Sequence, residues 1–407
     1  MTSAPQFSDR AGRILALAGI VLAALGMRTA VAVISPIADY IAADIPLGSV
    51  GLGVLGMVPP VAFAAFALLT PAIVARLGLE RSMVVALALM VVGHLLRGYA
   101  PGYAVLLIGT VVTLVGIGIG NVLLPPLVRR YFPTRIGVFT SITATLMAIG
   151  TAVPSVLAVP IATSAGWRLA LGVWAALAIA SLVPWIALLA GLRWQPSAAL
   201  EEPSPTLITA LWRSKTAVAV AVVFATSALA VYSMFAWLPQ ILAERTDLDA
   251  AAAGALLSLF SLAGFPVGIV MPILAARMRN VAPLIYLAFV LFALGYGGLL
   301  FVPGIATWLW VLFAGLGPLL FPVALALIAL RSRTHAGTVA LSGFAQGIGY
   351  TAAAVGPLLV GVLHDVTGSY DASLVLLFLL TVPSLAAAYV LRRPRFVEDE
   401  IEARGAR

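Results

Sequence analysis

The sequence contains no cysteine, which excludes disulfides, thiolate metal sites and thiol catalysis at once. Charge is scarce too: Asp, Glu, Lys and Arg make up 9% of the 407 residues, against about 25% in an average soluble protein. With 62% of the chain hydrophobic, a water-soluble fold would need more core than this length can enclose, so the solvent must be largely lipid. The three histidines, His94, His335 and His364, are too scattered to pair as metal ligands. Neither His-Glu-x-x-His nor Gly-x-Ser-x-Gly occurs, so no metal, no cofactor and no intramembrane enzyme is expected. Nor do strands of alternating polar and apolar residues occur, which argues against a membrane barrel.

What is present fits helices in a bilayer. The 37 Gly and 26 Pro are spread through apolar stretches rather than gathered in loops, and both are tolerated in membrane helices. Stretches long enough to span predict twelve helices, over 14–42, 47–75, 82–100, 103–128, 136–162, 167–191, 216–243, 250–276, 280–302, 306–330, 337–363 and 371–391. The first runs past the length of a signal peptide's apolar core and is read as a retained helix.

The net charge of +8 would suggest nucleic acid as partner in a soluble protein; here it has a topological meaning. With the N-terminus in the cytoplasm, nineteen basic residues fall inside, among them Arg76, Arg81, Arg129, Arg130 and Arg331. Only Arg97, Arg168 and Arg245 fall outside, and Arg28 lies within a span. That bias predicts both termini in the cytoplasm and no nucleic-acid partner. The outer turns carry acids instead, including Asp44, Glu244, Asp365 and Asp371. The one long polar connection, rich in Pro, Glu and Ser, divides the chain into a six-helix half over 1–192, a linker over 193–215, a second six-helix half over 216–391 and a cytoplasmic tail over 392–407.

The halves echo each other. Pro71-Ala-Ile-Val-Ala-Arg76 is matched by Pro272-Ile-Leu-Ala-Ala-Arg277, and Gly120-Asn-Val-Leu-Leu-Pro125 by Gly317-Pro-Leu-Leu-Phe-Pro322. Matches in constant order at an offset near 200 residues imply a parallel structural repeat. The fold class read from the sequence is therefore an all-α integral membrane protein, twelve transmembrane helices in two pseudo-symmetric halves.

Several strings carry a closer resemblance: Gly116-Ile-Gly-Ile-Gly-Asn-Val-Leu-Leu-Pro125, Tyr232 through Trp237-Leu-Pro239, and Leu330-Arg-Ser-Arg-Thr334 running into Leu341-Ser-Gly-Phe-Ala-Gln-Gly-Ile-Gly-Tyr350 and His364-Asp-Val-Thr-Gly368. With these the chain resembles the cyanate and 2-nitroimidazole transporter subfamily of the major facilitator superfamily. The resemblance implies a multi-pass protein of a bacterial-type inner membrane, a monomer moving a small molecule by alternating access. It also has departures. Gly26-Met-Arg28-Thr29 stands where the family's first helix carries Asn-Leu-Arg-Pro, and Ala75 sits near the expected Asp of the loop between helices two and three, leaving Arg76 and Arg81 as the gating residues.

Arg28 is the most informative side chain, near the bilayer centre, where a guanidinium costs at least about 2.5 to 3.5 kcal/mol. No Asp or Glu lies deep in a predicted span, so an anionic substrate would supply the missing counter-charge. Thr338, Ser342, Gln346 and Tyr350 repeat every four residues as one polar stripe, either a wall of the translocation path or interhelical glue. Asn121, beside glycines that admit close approach, offers a donor and an acceptor. Tyr232 and Phe235 share a helix face that could stack on a planar solute, while Trp237 is either a further contact or an interfacial anchor. His94, expected to snorkel with Arg97 towards the headgroups, is the candidate proton carrier. His364 and Asp365 read as a capping or gate-side pair. The leading expectation is a secondary active or facilitative transporter of a small anionic or planar polar solute, with Arg28 at a central site. The alternative is an efflux pump for planar heteroaromatic drugs such as nitroimidazoles.

Overall fold

The computed structural model describes residues 9–191 and 209–405, and the described chain is almost wholly helical. Residues 193–208 of the expected linker lie outside the described residues. The helices are α1 (Asp9–Gly26), α2 (Ala38–Ala42), α3 (Ser49–Leu77), α4 (Leu79–Gly98), α5 (Tyr103–Tyr131), α6 (Ile136–Ala165), α7 (Trp167–Gly172) and α8 (Trp174–Gly191). They continue with α9 (Lys215–Arg245), α10 (Ala250–Arg277), α11 (Ala282–Phe301), α12 (Thr307–Leu316), α13 (Leu320–Leu330) and α14 (His335–Thr367). The last are α15 (Asp371–Leu379), α16 (Pro383–Leu391) and α17 (Val397–Gly405). Among the described residues eleven helical segments are long and apolar enough to cross a membrane, and a shorter apolar helix, Ala11–Gly26, opens the chain.

Four expected spans are not single helices: the sixth is divided at Val173 into α7 and α8, the twelfth between Leu379 and Pro383 into α15 and α16, and the first and tenth are broken more strongly. The first, predicted over 14–42, stops at Gly26 and resumes only as a 3-10 turn at Ser35–Ile37 and the short α2. Gly26 is a poor helix former, and Pro36 has no N–H to offer a continuing helix. The tenth, predicted over 306–330, is divided by a 3-10 turn at Gly317–Leu319, where Pro318 falls.

The chain divides into two compact units, Met1–Leu47 with Ala65–Leu200, and Gly48–Ala64 with Glu201–Arg407. In the first, α1 lies against α8 where Gly19 admits the buried Trp185 ring, and against α6 where Gly150 meets the Leu25 carbonyl. At the far end of this unit Glu80, in the first turn of α4, is 6% exposed. Its carboxylate accepts the Tyr131 hydroxyl at 2.9 Å and pairs with the Arg130 guanidinium at 3.2 Å, tying the start of α4 to the end of α5.

In the second unit α9 and α14 form the central pair. Gly349 receives the Phe224 ring, and the buried Trp237 donates its Nε1–H to the Pro357 carbonyl at 2.8 Å. The tail expected over 392–407 contains α17, which is docked. Glu400 accepts from the Ser214 hydroxyl at 2.8 Å, the Thr216 N–H at 3.0 Å and the Thr216 hydroxyl at 3.0 Å, so it caps α9 from outside that helix. Glu398 does the same for α14, accepting from the Arg333 and Thr334 N–H groups at 3.0 and 3.1 Å. Negative charge at two helix N-termini is favourable.

Burial works against ionisation of Glu398 and Glu400, but the hydrogen bonds, with Arg395 near Glu400, prevail and hold both carboxyls below their ordinary range. Docking of α17 is therefore at full strength above the range in which detached Glu side chains titrate, and is lost as pH falls through the lower folded values. The protection factors of amides across Val397–Gly405, each rate taken relative to the intrinsic rate at the same pH, should be high at pH 7 and fall as the pH drops below the ordinary Glu range. Glu400→Ala should weaken docking by about 2 kcal/mol at neutral pH. Removing Glu80 leaves Arg130 and the Tyr131 hydroxyl without their shared acceptor. Glu80→Ala should destabilise the folded protein by about 1 to 2 kcal/mol, since Arg130 keeps access to solvent, read as a lower Tm in detergent, with Glu80→Gln intermediate.

Candidate functional site

The first unit presents an irregular stretch of backbone where its opening helix stops. Carbonyls at the end of α1 lose their helical partners, and the turn recovers some of them. The Met27 N–H donates to Ala23 O at 2.9 Å and the Thr29 N–H to Gly26 O at 3.2 Å, while the Thr29 hydroxyl adds a second bond to Gly26 O at 3.0 Å. Arg28 sits half-buried in this turn and is not without a partner there. A cation immediately past a helix C-terminus also meets the negative end of the helix dipole.

Met27, the neighbour of Arg28, packs against Gly120 of α5, where any side chain would collide with it. The next residue, Asn121, is half-buried, and among the described residues its Oδ1 has no hydrogen-bond partner. An acceptor left open at this level is unusual, since buried polar atoms are nearly always paired. Gly116 and Gly120 thus do what the sequence suggested, letting another helix approach α5 closely.

His94 and Arg97 do not snorkel: both are completely buried. The cause is close backbone packing. A Cβ on Gly109 would stand 2.9 Å from the Arg97 backbone nitrogen, and one on Gly98 would stand 3.1 Å from the Gly172 Cα. His94 lies 3.2 Å from the Leu171 carbonyl through Nδ1 and 3.4 Å from the Thr29 hydroxyl through Nε2, joining α4 to the turn that holds Arg28. The three guanidinium nitrogens of Arg97 find no hydrogen-bond partner among the described residues. Arg76 and Arg81, the expected gating pair, are exposed, and the buried carboxylate at that end is Glu80, which sequence reasoning passed over. Its only signal was an acid in a short turn beside basic residues.

The second unit gathers aromatic rings. Tyr232 and Phe235 of α9 stand edge to face at 6.4 Å, and Tyr350 of α14 approaches Tyr232 at 6.3 Å. Phe63 of α3 completes a triangle, 6.1 Å from Tyr232 and 6.0 Å from Tyr350. Phe260 of α10 extends the cluster at 5.7 Å from Phe235, and Phe224 adds a ring 5.2 Å from Tyr350. Phe63, Phe224 and Phe260 were not singled out from sequence, because a one-helix pattern does not pair rings across helices. Gln346, one turn before Tyr350, is half-buried and donates to the Ser342 hydroxyl at 2.7 Å, so part of the polar stripe bonds within its own helix. Trp237 is apart from this group: its indole N–H is taken by Pro357, and its ring lies 5.7 Å from Tyr370. It is a buried structural residue here rather than an interfacial anchor.

Comparison with known proteins places this architecture. The chain is 34% identical to the uncharacterized transporter YycB of Bacillus subtilis (strain 168), over 94% of each chain. It is 32% identical to the 2-nitroimidazole transporter of Escherichia coli (strain K12), over 92% of this chain and 94% of that one. Identity to the cyanate transport protein CynX of Escherichia coli (strain K12) is 29%, over 86% of this chain and 90% of that one. Among solved structures, a bacterial homolog of the human lysosomal transporter Spinster superposes with a TM-score of 0.75 over 97% of this chain and 99% of that one, at 13% identity, which speaks to fold alone. The Major Facilitator Superfamily model matches residues 16–317, well over half of the sequence, and the chain belongs to that superfamily, among the relatives of cyanate and nitroimidazole transporters.

Proposed function

We propose that the protein carries a small, planar, anionic or strongly polar solute across a bacterial-type inner membrane by alternating access, as a monomer with both termini in the cytoplasm. The observation that carries this reading is the interruption of the first span at Gly26, which leaves Arg28 on irregular backbone next to the helix bearing the open Asn121 acceptor. In carriers of this class, substrate sites are typically built at unwound helix segments near the bilayer midplane. Within the first unit Arg28 supplies the charge and Asn121 a hydrogen bond for an anion. The second unit, taken by itself, offers the rings of Tyr232, Phe235 and Tyr350 as a surface for a flat solute, with Gln346 a turn from Tyr350. The names of two relatives, one for cyanate and one for 2-nitroimidazole, fit an anion and a planar ring.

Uptake is the proposed direction. Arg28 is permanently charged and so does not itself switch by releasing a proton. His94 suits the carrier role less well than the sequence suggested, since a proton there would place a second cation one turn from the buried Arg97. The efflux reading retains one supporting observation, the aromatic cluster, which would take a neutral heteroaromatic ring without help from Arg28.

Binding of cyanate and of 2-nitroimidazole to the purified protein separates the two readings. Arg28→Ala should weaken cyanate binding by roughly tenfold or more, the loss of a charged hydrogen bond. Tyr350→Ala should weaken 2-nitroimidazole by about three- to tenfold. Unchanged cyanate affinity in Arg28→Ala would sink the anion reading, and tight 2-nitroimidazole binding by that variant would favour efflux.

A further inference from the structure

The Gly48–Ala64 segment is packed within the second unit by an unusually bare seam. A Cβ on Gly53 would lie 2.9 Å from the Pro357 carbonyl oxygen, and one on Gly56 would lie 2.6 Å from the Ala236 Cβ. From the other side, a Cβ on Gly361 would meet the Ser49 carbonyl oxygen at 2.7 Å and the Trp237 ring at 2.9 Å. The first turns of α3 therefore rest on α9 and α14 backbone to backbone, through dispersion, with little polar fastening along the way.

The fastening is at the end. His364, near the close of α14, places Nδ1 3.4 Å from the Ser49 hydroxyl and Nε2 3.0 Å from a carboxylate oxygen of Glu244 on α9. The other Glu244 oxygen accepts the Tyr370 N–H at 3.0 Å, and the Tyr370 ring stacks on the imidazole at a centroid distance of 4.2 Å. The remaining charges nearby are accounted for. Arg245 pairs with Asp371 and donates to the Leu299 and Leu300 carbonyls, Asp249 caps α10, and Asp365 is exposed beside His364. Among the described residues the groups in contact with the imidazole are one carboxylate, one hydroxyl and one phenol ring, those of Glu244, Ser49 and Tyr370.

This geometry reads protonation directly. A carboxylate only accepts, so a neutral His364 gives its single N–H to Glu244 and must take the Ser49 hydroxyl proton on Nδ1. Adding a proton makes both ring nitrogens donors. The bond to Glu244 becomes an ion pair, and the Ser49 oxygen turns to accept a charge-assisted hydrogen bond, a stronger class than the neutral one it replaces. We propose that His364, held between Glu244 and Ser49, is a proton-binding site that fastens the first turns of α3 to α9 and α14, protonation tightening the seam and deprotonation loosening it. In the orientation proposed above this end faces outside, so the site samples external pH. A carrier that works by alternating access must part and remake such a seam, which gives the proton a point of action separate from Arg28 and the aromatic cluster.

The native absence of cysteine makes the test direct. Leu52 and Leu55 are buried in the same turns of α3, whereas Gly48 is exposed and a Cβ there meets nothing. Leu52→Cys, Leu55→Cys and Gly48→Cys are prepared singly, and their alkylation by a water-soluble maleimide is followed from pH 5.5 to 8 without any solute. Each buried-site rate is divided by the Gly48→Cys rate at the same pH, which removes the thiol's own titration. The ratio should rise by roughly three- to tenfold with pH, the span between a neutral and a charge-assisted hydrogen bond. The rise should vanish in His364→Gln, which keeps an amide but does not titrate, and should be smaller in Glu244→Gln, which removes the ion pair but leaves the imidazole and the Ser49 bond. A flat ratio at both cysteines in the otherwise native chain, or a rise that survives His364→Gln, overturns the assignment. Since no solute is added, the outcome is independent of the proposed substrate.

Discussion

Lipid offers the peptide backbone nothing to bond with, and that single fact governs this structure. A helix can stop inside a bilayer only where protein replaces the lost partners. The end of α1 meets that condition with its own turn bonds, with the Thr29 hydroxyl on the Gly26 carbonyl, and with Met27 set into the gap above Gly120. Without those substitutes Arg28 would be on a regular helix and the first unit would have no irregular backbone at this level.

The same solvent removes most of the hydrophobic drive between helices, so contact has to come from closeness. Both units obtain it with glycine. In the first, Gly98 and Gly109 bring α4, α5 and α7 near enough to bury His94 and Arg97 entirely. In the second, Gly53, Gly56 and Gly361 let α3 lie on its neighbours with almost no side chain between them. Such seams are tight but have few polar bonds, which concentrates the chemistry at their ends, in groups such as Glu80 and His364.

Much of this architecture is legible in the sequence because its causes are additive over long windows. Eleven long apolar segments, the polar connection and the family-like strings around Gly120, Trp237 and Gln346 all follow from composition and order. The interruption after Gly26 is not, because the flanking residues are as apolar as a helix interior and only a turn of Gly, Thr, Ser and Pro betrays it. The burial of Arg97 was hidden for a related reason: a cation near a span end ordinarily reaches for water, and the glycines that prevent it lie on other helices. Tyr232 and Phe235 could be placed on one face of one helix, whereas their meeting with Phe63 and Phe260 depends on tertiary packing that periodicity does not encode.

The docked α17 has a consequence for how the protein is made. Its carboxylates cap α9 and α14, and Glu400 reaches Thr216 from 184 positions further along the chain. Ser214 and Thr334 cap their own helices, accepting from the Ala217 and Gly337 N–H groups, but the Thr216, Arg333 and Thr334 N–H groups wait for carboxylates that are synthesised only with α17. The second unit is therefore fastened late, and nascent forms that precede α17 must tolerate two incompletely capped helix ends at the membrane surface.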